Sequence, residues 1–126
     1  MDIILHKTVN AFNRRDYSEA VRQSAEGLAV AKGRDEAFWM GMLDACEGYE
    51  HLAGRRLLKA ETKLIASMQK LRNFGFRHND FEVTAALAGI RMAVEEIRAV
   101  KQENKKIFDV SILPQLRLAA KADTTS

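Results

Sequence analysis

The sequence predicts an all-α protein: a five-helix bundle built of two antiparallel helical hairpins plus a long C-terminal helix. The chain of 126 residues holds only seven Gly and one Pro, about half the usual share, too few for the many tight turns of a β sandwich or barrel. Apolar residues recur at spacings of three and four, as on one face of a helix. The composition, 47% apolar and 29% charged, can fill the core of one domain.

The first hairpin is predicted from residue 2 to residue 32. Its first helix covers Asp2–Arg14, with an apolar face formed by Leu5, Val9 and Phe12. Asp16 is the expected N-cap of the second helix, and Glu19, three residues later, completes a capping-box pattern. This helix runs to about Lys32, and Gly33 follows as a stop signal.

The third helix is predicted to begin at Asp35 and Glu36, where negative charge complements the helix dipole. It carries apolar residues on more than one face, which is typical of a central helix. Its main apolar face is formed by Phe38, Met42, Ala45, Tyr49 and Leu52. Gly41 and Gly48 lie two turns apart on one side, and each costs up to about 1 kcal/mol relative to Ala. They therefore predict the close approach of a neighbouring helix.

The fourth helix is predicted over Arg55–Phe74, and residues 75–80 form a connector. The fifth helix, from about Asp80 to Ile107, is expected to be the longest. Its candidate caps are Asn79 paired with Glu82, or Asp80 alone. The apolar spacing fades at Lys101 and Asn104, which predicts that the helix projects beyond the core or packs on a partner.

One domain is expected over residues 1–110, followed by a partly disordered tail over residues 111–126 that contains Pro114 beyond the bundle. No apolar run approaches the length of a membrane-spanning helix. The N-terminus lacks the basic start and long apolar stretch of a signal peptide. The single cysteine excludes an internal disulfide and fits a reducing compartment. We therefore expect a soluble, cytoplasmic protein that does not associate with membranes.

Charge is unevenly distributed along the second hairpin. Residues 35–54 hold five acidic side chains and no Lys or Arg, whereas residues 55–78 hold seven basic side chains and one Glu. One interpretation is that the two helices form an antiparallel hairpin in which these charges face each other. The other is an anion- or nucleic-acid-binding surface formed by Arg55, Arg56, Lys59 and Lys63, with Lys70, Arg72 and Arg77 farther along. The net charge of only +3 and the lack of a base-stacking pattern argue against specific nucleic-acid binding.

Candidate site residues are few, and no catalytic motif and no cofactor signature is present. Asp44, Glu47 and His51 share one face of the third helix. Glu47 and His51 have the spacing to hold a metal ion with help from another helix, or a small polar ligand. Tyr17 and Trp39 are further candidates for ligand contact, although core packing is the more common role of such aromatics. Cys46 is predicted to be a buried apolar residue, about 140° around the helix from His51.

Residues 12–64 also contain two sets of residues that resemble the signature motifs of a protein family. Aromatic-Asn, acidic-aromatic and Glu-Ala pairs occur at Phe12-Asn13, Asp16-Tyr17 and Glu19-Ala20. A second set comprises Trp39, Gly41, Met42, Leu43, His51, Ala60 and Leu64. This pattern resembles the domain-of-unknown-function 309 family, small all-helical proteins of bacteria and archaea. The resemblance implies a bundle with tetratricopeptide-like hairpins and no particular activity. The family's His-Glu pair falls on Val21 and Arg22, so a polar site that uses this pair would be lost or changed.

A spacing of 40 residues relates the two predicted hairpins. Tyr17-x-x-Ala20 recurs as Leu57-x-x-Ala60, a longer period than the 34 residues of tetratricopeptide repeats. Without a catalytic set, we expect a non-enzymatic protein-interaction or structural module, and the extended fifth helix favours a homodimer. The alternatives are a small-ligand or metal-binding bundle that uses the acidic and His face of the third helix, and an anion-binding surface on the fourth.

Overall fold

The computed structural model describes residues 2–102 and 113–118. This part of the chain is predominantly helical, which confirms the all-α prediction. Its helices are α1 (Ile3–Asn13), α2 (Tyr17–Val30), α3 (Arg34–Ala53), α4 (Leu57–Leu71) and α5 (Val83–Lys101). A 3₁₀ turn (Arg72–Phe74) and a small antiparallel pair of strands, β1 (Arg77–His78) and β2 (Phe81–Glu82), connect α4 to α5.

Helix α3 is the central element, because it packs against α2 on one side and α4 on the other. Its buried side chains occupy more than one face, as the sequence predicts. The largest fully buried side chains of the core include Leu5, Phe12, Phe38, Met42, Tyr49, Leu52, Leu64, Phe81 and Ile90. Every helix except α2 contributes to this set, so the helices close around one core.

The two glycines inside α3 mark where α4 crosses it. A Cβ on Gly48 would lie 2.7 Å from Leu64 Cδ2, and a Cβ on Gly41 would lie 2.9 Å from Leu71 Cγ. These distances are shorter than a Cβ can tolerate without movement of the neighbour. The predicted close approach of a neighbouring helix is therefore confirmed, and that helix is α4.

The two hairpins turn with the same backbone conformation, 40 residues apart. Arg15 and Arg55 both adopt the left-handed region, with φ of 66° and 64°. In each turn the following amide donates to a carbonyl five residues back: Asp16 N–H to Ala11 and Arg56 N–H to His51, both at 2.9 Å. This is the Schellman arrangement, which satisfies the last carbonyls of a helix. The repeat seen in the sequence thus extends to the backbone.

The connection between α4 and α5 differs from the prediction. Helix α4 ends at Leu71 rather than Phe74, and α5 begins at Val83 rather than Asp80, because residues 77–82 pair as strands around a turn with Asn79 at φ 53°. No side chain caps α5, so the predicted caps are wrong. Instead of a side chain, the Phe76 carbonyl satisfies the first N–H of α5 by accepting a hydrogen bond from Val83 N–H at 2.9 Å.

Helix α5 has 19 residues and ends at Lys101, with Gln102 as its C-cap, so the prediction that it is the longest helix is wrong: α3 has 20 residues. The rest of the predicted helix, residues 103–107, lies outside the described residues, as do positions 119–126 of the predicted tail. Residues 113–118, which we call the strap, pack back on the helices. Pro114 lies against Gly89 of α5, and Leu116 is only 7% exposed. Pro114 is therefore part of the packed body and not beyond it.

Candidate functional site

The acidic residues of α3 pair with the lysines of α4. Lys70 Nζ lies 2.6 Å from Asp44 Oδ2, and Lys63 Nζ lies 3.0 Å from Glu47 Oε1 and 3.7 Å from Asp44 Oδ1. The hydrogen bond to Glu47 is the main reason that the pKa of Lys63 is raised. The interpretation in which the charges of the two helices face each other is confirmed. These carboxylates are already neutralised within the hairpin.

His51 lies on the same helix but has a different partner. Its Nδ1 accepts a hydrogen bond from Arg56 Nε at 2.9 Å, and Arg56 also donates to the Glu50 carbonyl at 3.4 Å. Within residues 2–102 and 113–118, no group of three His, Cys, Asp or Glu side chains is arranged to hold a metal ion. The described residues therefore do not bring Asp44, Glu47 and His51 together around a metal ion, and a small polar ligand on this face stays a prediction.

Tyr17 and Trp39 belong to the core. The Trp39 indole is 3% exposed and covers Gly27 of α2, where a Cβ would lie 2.5 Å from the ring. Tyr17 packs edge-on against Phe12, with ring centroids 5.1 Å apart, and stacks on Tyr49 at 6.2 Å. Burial raises the pKa of Tyr17. Tyr17 and Trp39 therefore pack in the core, which is the more common of the two roles considered for them.

The four basic candidates lie around the N-terminal half of α4 with unequal freedom. Arg55 and Lys59 are exposed, whereas Arg56 bonds His51 and Lys63 bonds Glu47. An open depression of about 470 Å³ adjoins them, lined by His51, Leu58, Lys59, Thr62 and Lys63. An anion here would meet two uncommitted cations rather than four. The anion-binding surface stays a prediction.

Cys46 is fully buried, which confirms its predicted apolar role. Ser24 Oγ lies 3.4 Å from its sulfur. Burial raises the pKa of the thiol to about 12, which keeps it protonated and unreactive at neutral pH. The thiol does not supply a nucleophile.

Glu61 is a residue that the sequence reasoning missed. It is 9% exposed and accepts from Arg98 Nε at 3.0 Å and Lys101 Nζ at 2.7 Å. These two hydrogen bonds, led by that from Lys101, lower the pKa of the carboxyl. Lys101, where the apolar spacing of α5 fades, thus attaches α5 to α4. One feature of the sequence could have identified it: Glu61 is the single acidic residue among the seven basic ones of residues 55–78.

A groove between α4 and α5 also escaped the sequence reasoning. Its volume is about 270 Å³, and its residues are Ile65, Met68, Gln69, Arg72, Leu87 and Arg91. The three apolar side chains are partly buried against the core. Among the described residues, neither Arg72 nor Arg91 has an ion-pair partner. The groove thus combines an apolar floor with one cation from the turn after α4 and one from α5.

The residues that resemble a family motif have mainly structural contacts. The Asn13 carboxamide holds the backbone of Leu116. Arg22, at the position of the lost polar pair, is exposed and bonds Glu19 at 2.5 Å and Glu26 at 2.9 Å. Val21 packs against the core. No polar site is built at this position from the described residues.

Comparisons with protein-family models, with curated proteins and with solved structures each find no match to this chain. The resemblance of residues 12–64 to a family therefore stays a prediction. Among the helices of the described residues, none is long and apolar enough to cross a bilayer.

Proposed function

We propose that this protein is a non-enzymatic interaction module that binds an amphipathic helix of a partner protein in the groove between α4 and α5. The observation that carries this proposal is the composition of the groove. Its apolar residues Ile65, Met68 and Leu87 line the groove together with Arg72, which directly follows α4, and Arg91 on α5. An amphipathic helix meets such a groove with apolar residues on one face.

Charge identifies the chemistry of the partner. Within the part of the chain that the structure describes, Arg72 and Arg91 have no ion-pair partner, so both guanidinium groups can pair with carboxylates of a ligand. Arg–carboxylate pairs orient a ligand and favour its approach. We therefore expect the bound helix to carry Glu or Asp on both sides of its apolar face.

A second copy of this chain is a poor occupant of this groove. A symmetric dimer brings the same patch of both subunits together, so Arg72 and Arg91 would face their own copies. Like charges across an interface are unfavourable. The homodimer that the sequence favours stays a prediction, which sedimentation can test: a single species of 14.2 kDa at tens of micromolar would contradict it.

The contacts of the other candidate residues support binding rather than catalysis. Asp44 and Glu47 pair with lysines, His51 bonds Arg56, and the Cys46 thiol is buried. A nucleophile or general base requires an accessible group of suitable pKa. Of these four side chains, the Cys46 thiol is inaccessible, and the other three are engaged with basic partners within the hairpin.

The test uses two designed helical peptides with the same leucine face, one flanked by glutamates and one by lysines. We expect the protein to bind the Glu-flanked peptide, and the double variant Arg72→Glu/Arg91→Glu to lose at least about tenfold in affinity. The control, Arg55→Glu/Lys59→Glu, makes the same charge change at the other end of α4. Fluorescence anisotropy of labelled peptides measures both.

Two outcomes would contradict the proposed function. One is that neither peptide binds. The other is that the groove variant and the control variant lose affinity equally, which would indicate non-specific attraction by net charge. A switch of preference to the Lys-flanked peptide in the groove variant would support the proposal most directly.

A further inference from the structure

The strap, residues 113–118, is held through its backbone as well as through its apolar side chains. The Asn13 carboxamide donates to the Leu116 carbonyl at 3.1 Å and accepts the Leu116 N–H at 2.8 Å. The Arg15 guanidinium donates to the carbonyls of Pro114 at 2.7 Å and Leu113 at 2.8 Å. Such bonds recognise any extended chain, because they use atoms that every residue has.

Strand β2 adds a further backbone contact. The Glu82 N–H donates to the Arg117 carbonyl at 3.0 Å, and Phe81 pairs with Leu118 as an antiparallel bridge. The strap therefore extends the small sheet at its edge, as a bound peptide does in β-strand addition. Three separate elements, the α1–α2 turn, β2 and α5, thus contact one extended segment.

Apolar side chains of the strap also pack on the body, with Leu113 and Leu118 partly buried against the core. Pro114 packs so closely on Gly89 that a Cβ there would lie 3.0 Å from the proline Cβ. Leu116 is buried, whereas Gln115 and Arg117 are exposed. The site therefore selects a proline followed two positions later by a leucine and leaves the intervening residue free.

The floor beneath Pro114 contains an unsatisfied polar group. The Tyr49 hydroxyl is buried and has no hydrogen-bond partner among the described residues, and it would lie 3.7 Å from a Cβ on Gly89. Burial raises the pKa of this phenol well above its ordinary value. A buried hydroxyl without a partner is unfavourable, and the bound strap does not satisfy this group.

We propose that the groove holding the strap is a binding site for extended Pro-x-Leu segments of other proteins, and that the strap is its internal competitor. This site is separate from the groove between α4 and α5, although the inference rests on the proposed role of the protein as an interaction module. A tethered segment competes at an effective concentration in the millimolar range. The groove is therefore accessible to an external segment mainly when the strap leaves.

The test uses the full chain and a labelled decapeptide with the sequence of residues 111–120 (SILPQLRLAA). In the variant Leu116→Asp, a charge replaces the buried leucine, so we expect the strap to leave and the peptide to bind about tenfold or more tightly than it binds the wild type. The matched control is Gln115→Asp, which makes a similar change at an exposed strap position. We expect it to bind like the wild type.

A second measurement reports release of the strap without any peptide. In Leu116→Asp, water can reach the Tyr49 hydroxyl, so phenol ionisation followed by absorbance should begin at lower pH than in the wild type. Asn13→Leu in the Leu116→Asp background removes the backbone clamp and should abolish peptide binding. The double variant thereby distinguishes binding at this site from non-specific hydrophobic binding to an exposed core.

Several results would overturn the inference. A released strap without peptide binding, or binding that survives Asn13→Leu, would show that the groove is not a peptide site. Loss of the helical circular dichroism in Leu116→Asp, or an unchanged phenol titration, would show that the strap is not a detachable competitor anchored by Leu116. None of these results alters the affinity of the groove between α4 and α5, so the failure of this inference and of the proposed function can be told apart.

Discussion

The turn between α1 and α2 and the turn between α3 and α4 have the same backbone conformation but different surroundings. Arg15 and Arg55 stand at equivalent left-handed positions, 40 residues apart. Both are exposed, but Arg15 uses its guanidinium to hold the strap, whereas the Arg55 guanidinium has no such bond to a described residue. A repeated backbone thus serves as an attachment point in one hairpin and as open surface in the other.

The second helices of the two hairpins also have equivalent positions with different contacts. Ala20 and Ala60 are equivalent and both fully buried. The next position is Val21 in α2, which packs against the core, and Glu61 in α4, which binds Arg98 and Lys101 of α5. This difference within the repeat gives the second hairpin a polar attachment to α5 that the first lacks at the equivalent position. The equivalent alanines are buried alike in both hairpins, whereas the residues that follow them contact different parts of the molecule.

The largest effect is expected from breaking the helix crossing of the second hairpin. A Cβ on Gly48 would lie 2.8 Å from Leu64 Cγ and 3.2 Å from the Leu64 backbone nitrogen. We expect Gly48→Ala to lower the free energy of unfolding by about 2 kcal/mol, because overpacking outweighs the gain in helix propensity. Urea denaturation followed by circular dichroism measures this change.

Gly54→Ala is the matched control for this prediction. The atoms that a Cβ on Gly54 would meet belong to the flexible guanidinium of Arg56, and the φ of Gly54, −88°, suits any residue. Its stability should stay within about 0.5 kcal/mol of the wild type. Equal losses in both variants would contradict the role of the crossing.

The next effect concerns the attachment of α5. Glu61→Gln keeps the shape of the side chain but removes the charge that faces Arg98 and Lys101, so we expect a loss of about 1.5 kcal/mol at pH 7. The pKa of Glu61 is lowered from its ordinary value of 4.5. Its contribution is therefore complete above pH 4.5 and decreases as the pH falls through the lower, folded-state pKa. The difference between variant and wild type should shrink in acid.

Glu26→Gln in the first hairpin is the control for Glu61→Gln. Glu26 pairs with Arg22 at 2.9 Å on an exposed face, where an ion pair contributes about 0–1 kcal/mol. Urea denaturation at pH 7 and at pH 3.5 compares the two variants. A larger loss for Glu26→Gln, or a loss for Glu61→Gln that grows in acid, would be incompatible with the assigned role of Glu61.

Local features of the fold could be predicted from the sequence, whereas distant contacts could not. The five helices follow from residue spacing, and the charges of residues 44 and 63 face each other because a hairpin brings adjacent helices together. The attachment of Leu116 to Asn13 joins positions 103 residues apart, and no periodicity reports such a contact. Both proposed binding grooves likewise depend on side chains from separate elements.

The short sheet before α5 could not be predicted for a similar reason. His78 lies between the rings of Phe38 and Phe74, at centroid distances of 4.5 and 4.8 Å, and its Nε2 is 2.7 Å from Asp35 Oδ1. These contacts with α3 position β1, which is only two residues long. The local sequence of residues 75–80 predicts only a connector, because the strand within it depends on contacts with α3.

A smaller effect is expected from exchanging the caps of the two hairpins. Asp16 Oδ1 accepts the Glu19 N–H at 3.2 Å, whereas Arg56, at the equivalent position, provides no side-chain cap. Asp16→Ala should cost about 1 kcal/mol. Arg56→Asp should supply the missing cap but lose the bond to His51, so its net change should be below about 0.5 kcal/mol. Thermal denaturation compares the two variants, and an unchanged midpoint for Asp16→Ala would contradict the prediction.

The smallest effect tests the two left-handed arginines directly. A non-glycine residue at positive φ is unfavourable by about 1 kcal/mol, so Arg55→Gly should raise the free energy of unfolding by about 0.5–1 kcal/mol. Arg15→Gly relieves the same strain but loses the two bonds to the strap, so we expect no gain or a small loss. Urea denaturation of both variants gives the comparison. Equal stabilisation by the two glycines would mean that Arg15 does not hold the strap, whereas a gain at position 55 alone would confirm that identical turns have taken different roles.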